Sequence, residues 1–242
     1  MTTALDQLTS RLRAELPDGA VITDPATLRT YECDGLTAYR AVPGVVALPT
    51  SAFDVARCVR ACRDLGVPFV ARGSGTGLSG GAMPHAAGAL IVTAKLNRVI
   101  EIDIANRRAI LEPGVINAAI SAAVSGDTLY YAPDPSSQQI CSIGGNVAEN
   151  SGGAHCLKYG FTVHHVTGLE ICTPDGDLVT IGAGKAAEAP GYDLTGVFIG
   201  SEGTLGIATK VYVRLLRKPE AVVTMLAGFA TIEQAGATVA AI

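Results

Sequence analysis

A loop with five glycines in nine residues restricts the fold of this chain more than any other feature. The glycines are Gly73, Gly75, Gly77, Gly80 and Gly81. They follow an apolar stretch, residues 67–71, that predicts a short buried strand, and residues 89–93 predict another strand after the loop. Backbone N–H groups in such a loop curl into a nest that binds anions, above all phosphate. The sequence therefore predicts a phosphate site between two strands, whereas a flexible linker would have polar flanks.

Two well-known phosphate loops do not fit this context. Residues 75–80 match G-x-G-x-x-G, but the dinucleotide-binding version of that motif opens a helix directly after its strand. Here Pro84 and Gly88 follow, and no helical period begins. A Walker loop would need Gly-Lys-Ser or Gly-Lys-Thr, which does not follow either. We therefore expect the loop alone to hold the phosphate, with Ser74, Thr76 and Ser79 as additional hydroxyl donors.

Two further glycine clusters follow, at residues 143–153 and residues 198–207. The first of them has paired glycines around Asn146 and Asn150. Its composition is poor for a helix, so we expect a wall of backbone against a flat heterocycle. Each cluster by itself could be structural. Three clusters separated by strands indicate one long ligand that is touched along its length, and a dinucleotide has that length.

Regular elements are predicted around these clusters. A helix that is capped by Ser51 and stopped by Gly66 makes residues 45–71 a unit of strand, helix and strand. Hairpins are predicted over residues 99–112 and residues 168–181. A further helix is expected over residues 2–16, and a small alanine-rich one near residues 118–124.

The composition argues against several classes of partner. The net charge is −4 and the chain has no basic block, which argues against nucleic acid. No apolar stretch reaches the length of a membrane span, and charged residues near the N-terminus argue against a signal peptide. Six scattered cysteines without a C-x-x-C pair predict reduced thiols and no metal site. For Cys58 and Cys62, which share a helix face, packing against a sheet is favoured over a two-thiol metal site.

The motifs at residues 72–81, 131–138, 142–153 and 200–206 together carry a family resemblance that covers nearly the whole chain. The chain resembles the FAD-binding domain of the vanillyl-alcohol oxidase and p-cresol methylhydroxylase superfamily, and within it the FAD-binding subunits of glycolate oxidases and related D-2-hydroxy-acid dehydrogenases. The resemblance implies an α+β fold of two subdomains with FAD between them. It assigns residues 1–102 to the first subdomain, residues 103–218 to the second, and residues 219–242 to the start of a C-terminal substrate (cap) domain.

The same resemblance implies which residues bind the FAD. The loop at residues 73–81 would hold the pyrophosphate, the second cluster would line the flavin and its ribityl chain, and the third would complete the pocket towards the adenine. Some relatives tether FAD through a His in the first loop; no His lies there, so non-covalent binding is expected. The full set is Arg72, Gly73, Ser74, Gly75, Thr76, Gly77, Leu78, Ser79, Gly80, Pro113, Gly114, Asp134, Pro135, Ser136, Ser137, Ile143, Gly144, Gly145, Asn146, Ala148, Asn150, Gly153, Glu202, Gly203, Gly206 and Ile207.

The resemblance implies a flavin-dependent oxidation of a small 2-hydroxy acid, of the glycolate or D-lactate type, to the 2-oxo acid. Implied partners are the iron–sulfur and second flavoprotein subunits of a glycolate-oxidase-like complex, through which a cytoplasmic protein would associate with a membrane. Two alternatives stay open. One is an enzyme like UDP-N-acetylenolpyruvylglucosamine reductase, which would consume NADPH. The other is a flavin-binding or assembly module without catalytic activity.

The groups that act on the substrate are not expected in this chain. In similar enzymes they belong to the cap domain, of which a strand over residues 222–226 and an amphipathic helix from Ile232 onward would be the beginning. His85 and His155 flank the glycine clusters as ordinary polar contacts, and no His has a neighbour in sequence that marks it as a base. We therefore expect no catalytic residue and no metal ligand here.

Overall fold

A computed structural model describes residues 3–182 and 191–242 of the chain. The elements of its first part run from the N-terminus to the strand after the glycine loop. They are α1 (Ala4–Glu15), β1 (Val21–Ile22), α2 (Pro25–Leu28), β2 (Val45–Ala47), α3 (Ala52–Leu65), β3 (Phe69–Arg72) and β4 (Ala89–Val92). Residue 2, the first of the helix predicted over residues 2–16, lies outside the described residues.

The second part contains the remaining strands and the short helices around the other two glycine clusters. Its elements are β5 (Val99–Asp103), β6 (Arg108–Leu111), α4 (Asn117–Ala123), β7 (Leu129–Tyr130), α5 (Ile143–Glu149), α6 (Cys156–Tyr159), β8 (Val166–Cys172), β9 (Leu178–Gly182), α7 (Leu194–Phe198), β10 (Ile207–Arg214), β11 (Leu216–Arg217) and α8 (Ile232–Ala241). Single turns of 3-10 helix occur at Arg29–Tyr31, Thr93–Lys95, Ser125–Asp127 and Thr162–His164.

The first sheet confirms the predicted unit of strand, helix and strand. Its described strands lie in the order β1, β2, β4, β3, and β4 pairs in parallel with both β2 and β3. Cys58 and Cys62 on α3 are fully buried in the core that α1 and α3 form against this sheet, as expected. The expectation of a buried strand before the glycine loop is wrong in one respect. Because β4 lies between β2 and β3, β3 is an edge strand and only half-buried.

The second sheet is antiparallel and contains both predicted hairpins. In the described residues its strands lie in the order β5, β6, β10, β8, β9. A separate apolar core lies under it, formed by β6, β8 and β10 together with α4 and α5. All of β5 pairs within this sheet, so a boundary at residue 102 would cut the strand. We propose that the two subdomains divide at residues 96–98 instead.

Arginines on α3 join the first subdomain to the turn of the β8–β9 hairpin in the second. Arg60 donates two hydrogen bonds to the carbonyl oxygen of Gly176, at 2.7 and 3.1 Å. Arg63 donates to the carbonyl oxygen of Asp175 at 2.7 Å. A guanidinium that donates two N–H groups to one oxygen, as Arg60 does, fixes direction as well as distance. The position of α3 therefore sets how the two sheets face each other, and with that the width of the cleft between them.

Two secondary-structure predictions are wrong. The cluster at residues 143–153 is not a wall of irregular backbone, because Ile143–Glu149 forms the helix α5. Its glycines lie in the first turn, where a Cβ at Gly144 would come within 2.6 Å of Pro113; close packing therefore outweighs low helix propensity. The strand predicted over residues 222–226 does not form in the described structure, where those residues are exposed and pair with no other strand.

The buried carboxylate at the start of α3 makes the stability of this fold depend on pH. Burial would raise the pKa of Asp54, but hydrogen bonds from Ser51 and Thr50 and the charge of Arg57 outweigh it, and the net pKa is lowered. Asp54→Asn is expected to lower the free energy of unfolding at pH 7 by about 1–2 kcal/mol. Because the pKa of Asp54 is lower in the folded than in the unfolded chain, its ionised carboxylate stabilises the fold at pH values above the unfolded pKa, about 3.9. This contribution is lost as the pH falls through the pKa of the folded chain.

Urea unfolding of both proteins between pH 2.5 and pH 7 measures this difference. Asp18→Asn, at an exposed turn position after α1, is the control and should leave stability unchanged. A difference between Asp54→Asn and the unmodified chain that stays constant over this range would contradict the assignment.

Candidate functional site

The three glycine clusters meet in one cleft between the two subdomains. A cavity of about 330 Å³ lies there, and a second of about 430 Å³ adjoins it and shares Gly81, Glu202, Gly203, Gly206 and Ile207 with it. Most of the predicted cofactor residues line the first cavity. They are Arg72, Gly73, Ser74, Gly75, Thr76, Gly77, Leu78, Pro113, Ser136, Ser137, Gly144, Gly145, Asn146, Ala148, Glu202, Gly203, Gly206 and Ile207. The cleft is therefore long, and all three clusters contribute to it.

The Arg72 side chain packs against the first turn of the glycine loop. Its guanidinium donates to the carbonyl oxygens of Cys33, at 2.7 Å, and of Tyr31, at 3.4 Å, and lies 5.9 Å from the centre of the Tyr31 ring. Gly75 has φ +68°, and a Cβ there would come within 2.3 Å of the Arg72 guanidinium. Burial lowers the pKa of Arg72, an effect that the charge of Asp34 opposes. Arg72 lines the cavity, but its hydrogen bonds point into the N-terminal segment.

Asp34 holds the far end of the same loop. It is only 5% exposed, its Oδ1 accepts the N–H of Leu36 at 2.8 Å, and its Oδ2 accepts the N–H of Ala82 at 3.3 Å. Gly35 next to it packs so closely on the loop that a Cβ would come within 2.5 Å of the carbonyl oxygen of Gly77. No role was assigned to this segment from the sequence. Its signal is a lone Asp-Gly pair, which is too common in turns to be read as support for a distant loop.

Helix α5 brings two unpaired donors to the opposite wall of the cleft. Ser142, at its N-cap position, and Asn146, in its second turn, are 2% and 1% exposed. Neither the Ser142 Oγ nor the Asn146 Nδ2 has a hydrogen-bond partner. A Cβ at Gly73 would lie 2.5 Å from the Ser142 Oγ, so only a glycine lets the loop approach this hydroxyl. Buried polar groups are rarely left unpaired, and because both residues also line the cavity, these two donors are available to a ligand there.

Several predicted residues do not line the cavity and support it from behind. The eight are Ser79, Gly80, Gly114, Asp134, Pro135, Ile143, Asn150 and Gly153. The Ser79 hydroxyl, expected to donate to phosphate, donates instead to the Oε1 of Glu149 at 2.8 Å. Ile143 is fully buried in the core of the second subdomain. Asn150 ends α5 in a left-handed conformation, and its Oδ1 accepts the N–H of Val163.

Asp134 pairs with a histidine instead of facing the cavity. Its Oδ2 lies 2.5 Å from the Nδ1 of His155, and its Oδ1 accepts the N–H of the same residue. A Cβ at Gly153 would come within 2.1 Å of the Asp134 carbonyl oxygen, so this glycine allows two loops to touch. His155 therefore has a carboxylate partner that its sequence neighbours do not reveal, since Asp134 is 21 residues away along the chain.

Eleven residues of the lining lie outside the predicted set. They are Ala71, Gly81, Ala82, Thr93, Cys141, Ser142, Val147, Glu149, Ser151, Phe198 and Ala208. Most of them adjoin a predicted residue in sequence, so wider motif boundaries would have included them. Phe198 begins the third glycine cluster, whereas Thr93 follows β4 outside all three clusters, and only the tertiary structure brings it to the cleft.

The comparisons with known proteins identify the kind of domain. Residues 43–182 match the model of a family described as FAD binding domain. The chain is 50% identical over 228 residues to the glycolate oxidase subunit GlcD of Escherichia coli K12, covering 94% of the chain and 46% of that protein. It is 32% identical over 221 residues to the D-2-hydroxyglutarate dehydrogenase of Stutzerimonas stutzeri, covering 91% and 48%. The chain thus spans about half the length of these relatives.

A solved structure shares the architecture. p-Cresol methylhydroxylase with bound substrate superposes with a TM-score of 0.76 at 22% identity, over 90% of the chain and 44% of that protein. This likeness confirms the predicted two-subdomain α+β fold. Among the described residues, no helix is both long and apolar enough to cross a membrane.

The clash at Gly75 predicts how the loop responds to one added methyl group. Gly75→Ala is expected to lower the free energy of unfolding by about 1 kcal/mol for its left-handed backbone, and further because the methyl displaces the Arg72 guanidinium. Gly66→Ala is the matched control, since Gly66 has φ +62° and no atom within 4 Å of its Cβ position. Urea unfolding of both variants separates the two costs. An equal loss of unfolding free energy in the two variants would contradict the close packing of the Arg72 guanidinium against Gly75.

Proposed function

Since the chain belongs to the family of FAD-binding domains, we propose that it is the FAD-binding part of an oxidoreductase that oxidises a small 2-hydroxy acid to the 2-oxo acid. The observation that carries this proposal is the pair of buried, unpaired donors, the Ser142 Oγ and the Asn146 Nδ2, in a cleft where Gly73 leaves no room for a side chain. The 50% identity to a glycolate oxidase subunit supports the choice of substrate class.

The residues of the cleft fit a flavin dinucleotide. The loop at residues 73–76 lines the cavity next to the Ser142 hydroxyl, and backbone N–H groups of such a loop together with that hydroxyl would suit a pyrophosphate. The Asn146 amide can donate to a carbonyl or hydroxyl group further along the ligand. Two adjoining cavities give the length that a dinucleotide needs. The wall contributed by β10, α7 and Gly206 would close the adenine end.

In such an enzyme the protein's work is binding, orientation and exclusion of water. FAD, when bound, would supply the acceptor for the hydride that leaves the α-carbon of the substrate. Ser142 and the loop would fix the pyrophosphate in the middle of the cofactor, and the packed glycines of α5 would bring the backbone against it. Arg72, Asp34 and Gly35 would hold the loop in place, so that the cofactor does not have to order it.

The activity of the whole protein, its substrate and its partners are proposals. GlcD is described as a subunit of glycolate oxidase, and we infer that this chain also works with partner subunits, an iron–sulfur protein and a second flavoprotein. Consumption of NADPH would favour a reductase of UDP-N-acetylenolpyruvylglucosamine instead. Bound FAD that no 2-hydroxy acid reduces in the full-length protein would favour a flavin-binding module.

We also propose a cytoplasmic location. All six cysteines, each among the described residues, are free thiols. Cys58 and Cys62 are both buried on α3, and burial raises the pKa of each thiol, that of Cys62 to about 12. Thiols that stay protonated and unpaired suit a reducing compartment.

The first prediction of this proposal is non-covalent binding of FAD through the cleft. Acid precipitation of the loaded chain should release the yellow flavin into the supernatant, since the first loop has no His to tether it. Flavin that stays in the pellet would contradict this.

Gly145→Val tests the site itself. The nearest atom to a Cβ at Gly145 is the Ser142 Oγ at 3.6 Å, so the fold accepts the side chain while its methyl groups enter the cavity. We expect at least a tenfold loss of FAD affinity in titration calorimetry, with circular dichroism unchanged. Gly236→Val, in the exposed helix α8 with nothing within 4 Å, is the matched control and should bind FAD normally. Normal affinity in both variants would place the cofactor elsewhere.

The lining of the cleft also predicts that this chain alone reacts slowly with 2-hydroxy acids. Among the described residues that line the cavity, Arg72 is the only cation, its guanidinium is held by two carbonyl oxygens, and no His is present. A substrate carboxylate would therefore find no free cationic anchor and no histidine beside its hydroxyl, and positioning contributes much of such a rate. Anaerobic mixing with glycolate, D-lactate or D-2-hydroxyglutarate should leave the flavin absorbance nearly constant, while dithionite bleaches it. Rapid bleaching by any of the acids would show that the catalytic groups lie in this domain.

A further inference from the structure

Two carboxylates converge on the second half of the glycine loop, the half that was expected to help hold a pyrophosphate. The Oε1 of Glu149 lies 3.3 Å from the Cβ position of Gly77 and 3.5 Å from that of Gly81. The Oε2 of Glu202 lies 3.7 Å from the same position at Gly81. Both residues line the cavity, and among the described residues neither forms a salt bridge. A doubly charged pyrophosphate placed here would meet two uncompensated negative charges.

The other half of the loop has the opposite character. Near Gly73 the cavity wall is the buried Ser142 hydroxyl, and Arg72 is the only cation among the described lining residues. This half therefore has a nearby positive charge and a hydroxyl without a described partner, whereas the other half has two carboxylates. The charges therefore divide the loop into an anion-binding half at residues 73–76 and an acidic half at residues 77–81.

Helix α5 repeats this division along one face. Ser142, Asn146 and Glu149 are spaced by four and three residues, so they lie on the same side of the helix and all line the cavity. The first two present unpaired, nearly fully buried donors, and the third presents a carboxylate that can only accept. The Glu149 Oε1 already accepts the Ser79 hydroxyl at 2.8 Å, which leaves the Oε2 free of any described hydrogen bond.

We propose that α5 fixes where the dinucleotide lies along the cleft: the Ser142 end takes the pyrophosphate, and Glu149 accepts a hydrogen bond from a sugar hydroxyl next to it in the ligand. This inference rests on the proposed function and deepens it. The hydroxyl belongs either to the ribityl chain or to the ribose, which share the same chemistry. Ser79 holds the carboxylate in position from across the cleft, and Glu202 adds to the charge that keeps phosphate away from this end.

The test compares Glu149→Ala with Glu149→Gln in the whole chain, freed of cofactor, by titration calorimetry with FAD, FMN and ADP. Glu149→Ala removes the acceptor and is expected to weaken FAD binding at least tenfold. Glu149→Gln keeps an acceptor oxygen and should stay within about fivefold of the unmodified chain. Glu220→Ala, at an exposed position outside the cleft, is the control. A tenfold loss for FMN assigns the hydroxyl to the ribityl chain, and a tenfold loss for ADP assigns it to the ribose.

Three results would overturn the proposal. Tighter FAD binding by Glu149→Gln, most marked at low salt, would place the pyrophosphate beside the carboxylate. Equal affinities of Glu149→Ala and the unmodified chain for all three ligands would remove Glu149 from the site. A loss in Ser79→Ala as large as that in Glu149→Ala would mean that the pair only ties the loop to α5. If the unmodified chain does not bind FAD at all, it is the proposed function that fails.

Discussion

The site depends on the close approach of two pieces of backbone from different subdomains. The glycine loop comes so near to α5 that the Ser142 Oγ would lie 2.5 Å from a Cβ at Gly73, and α5 itself presses Gly144 against Pro113. Such contacts are possible only without side chains. They turn two separate sheets, each with its own apolar core, into the walls of one narrow cleft. The cleft in turn leaves two buried donors unpaired, the Ser142 Oγ and the Asn146 Nδ2, and these are the basis of the proposed cofactor site.

Polar contacts between residues far apart in sequence hold the two subdomains and the glycine loop in this arrangement. Arg60 and Arg63 fix the β8–β9 turn against α3, and Asp34 and Arg72 attach the two ends of the glycine loop to the N-terminal segment. Each of these groups bonds to backbone carbonyl or N–H groups. Every residue has a backbone carbonyl oxygen. These contacts therefore require the arginines and the aspartate, but they restrict the residue type of the partners very little. The loop is thus held on the side of the N-terminal segment, and its other side faces the cavity.

The regular elements were largely predictable, because their signals are local. The cap at Ser51, the stop at Gly66 and the alternation of the two hairpins need no tertiary information. The two errors share a cause in packing. Helix α5 forms despite its glycines because neighbours require them to be small, and residues 222–226 form no strand in the described structure because no other strand pairs with them. Local propensity is a weak guide wherever a neighbour decides.

The sequence by itself determined the kind of site: three glycine clusters, the motifs around them and the order of strands and helices indicate an FAD-binding domain of two subdomains. Only the tertiary structure decided the chemistry inside it. It placed the Ser142 hydroxyl opposite Gly73, turned Asp134 away from the cavity to His155, and brought Glu149 across the cleft to Ser79. These partners lie 69, 21 and 70 residues apart in the chain. Glycine spacing reports where the backbone can turn or approach, whereas the side chains that meet there depend on how the two sheets face each other.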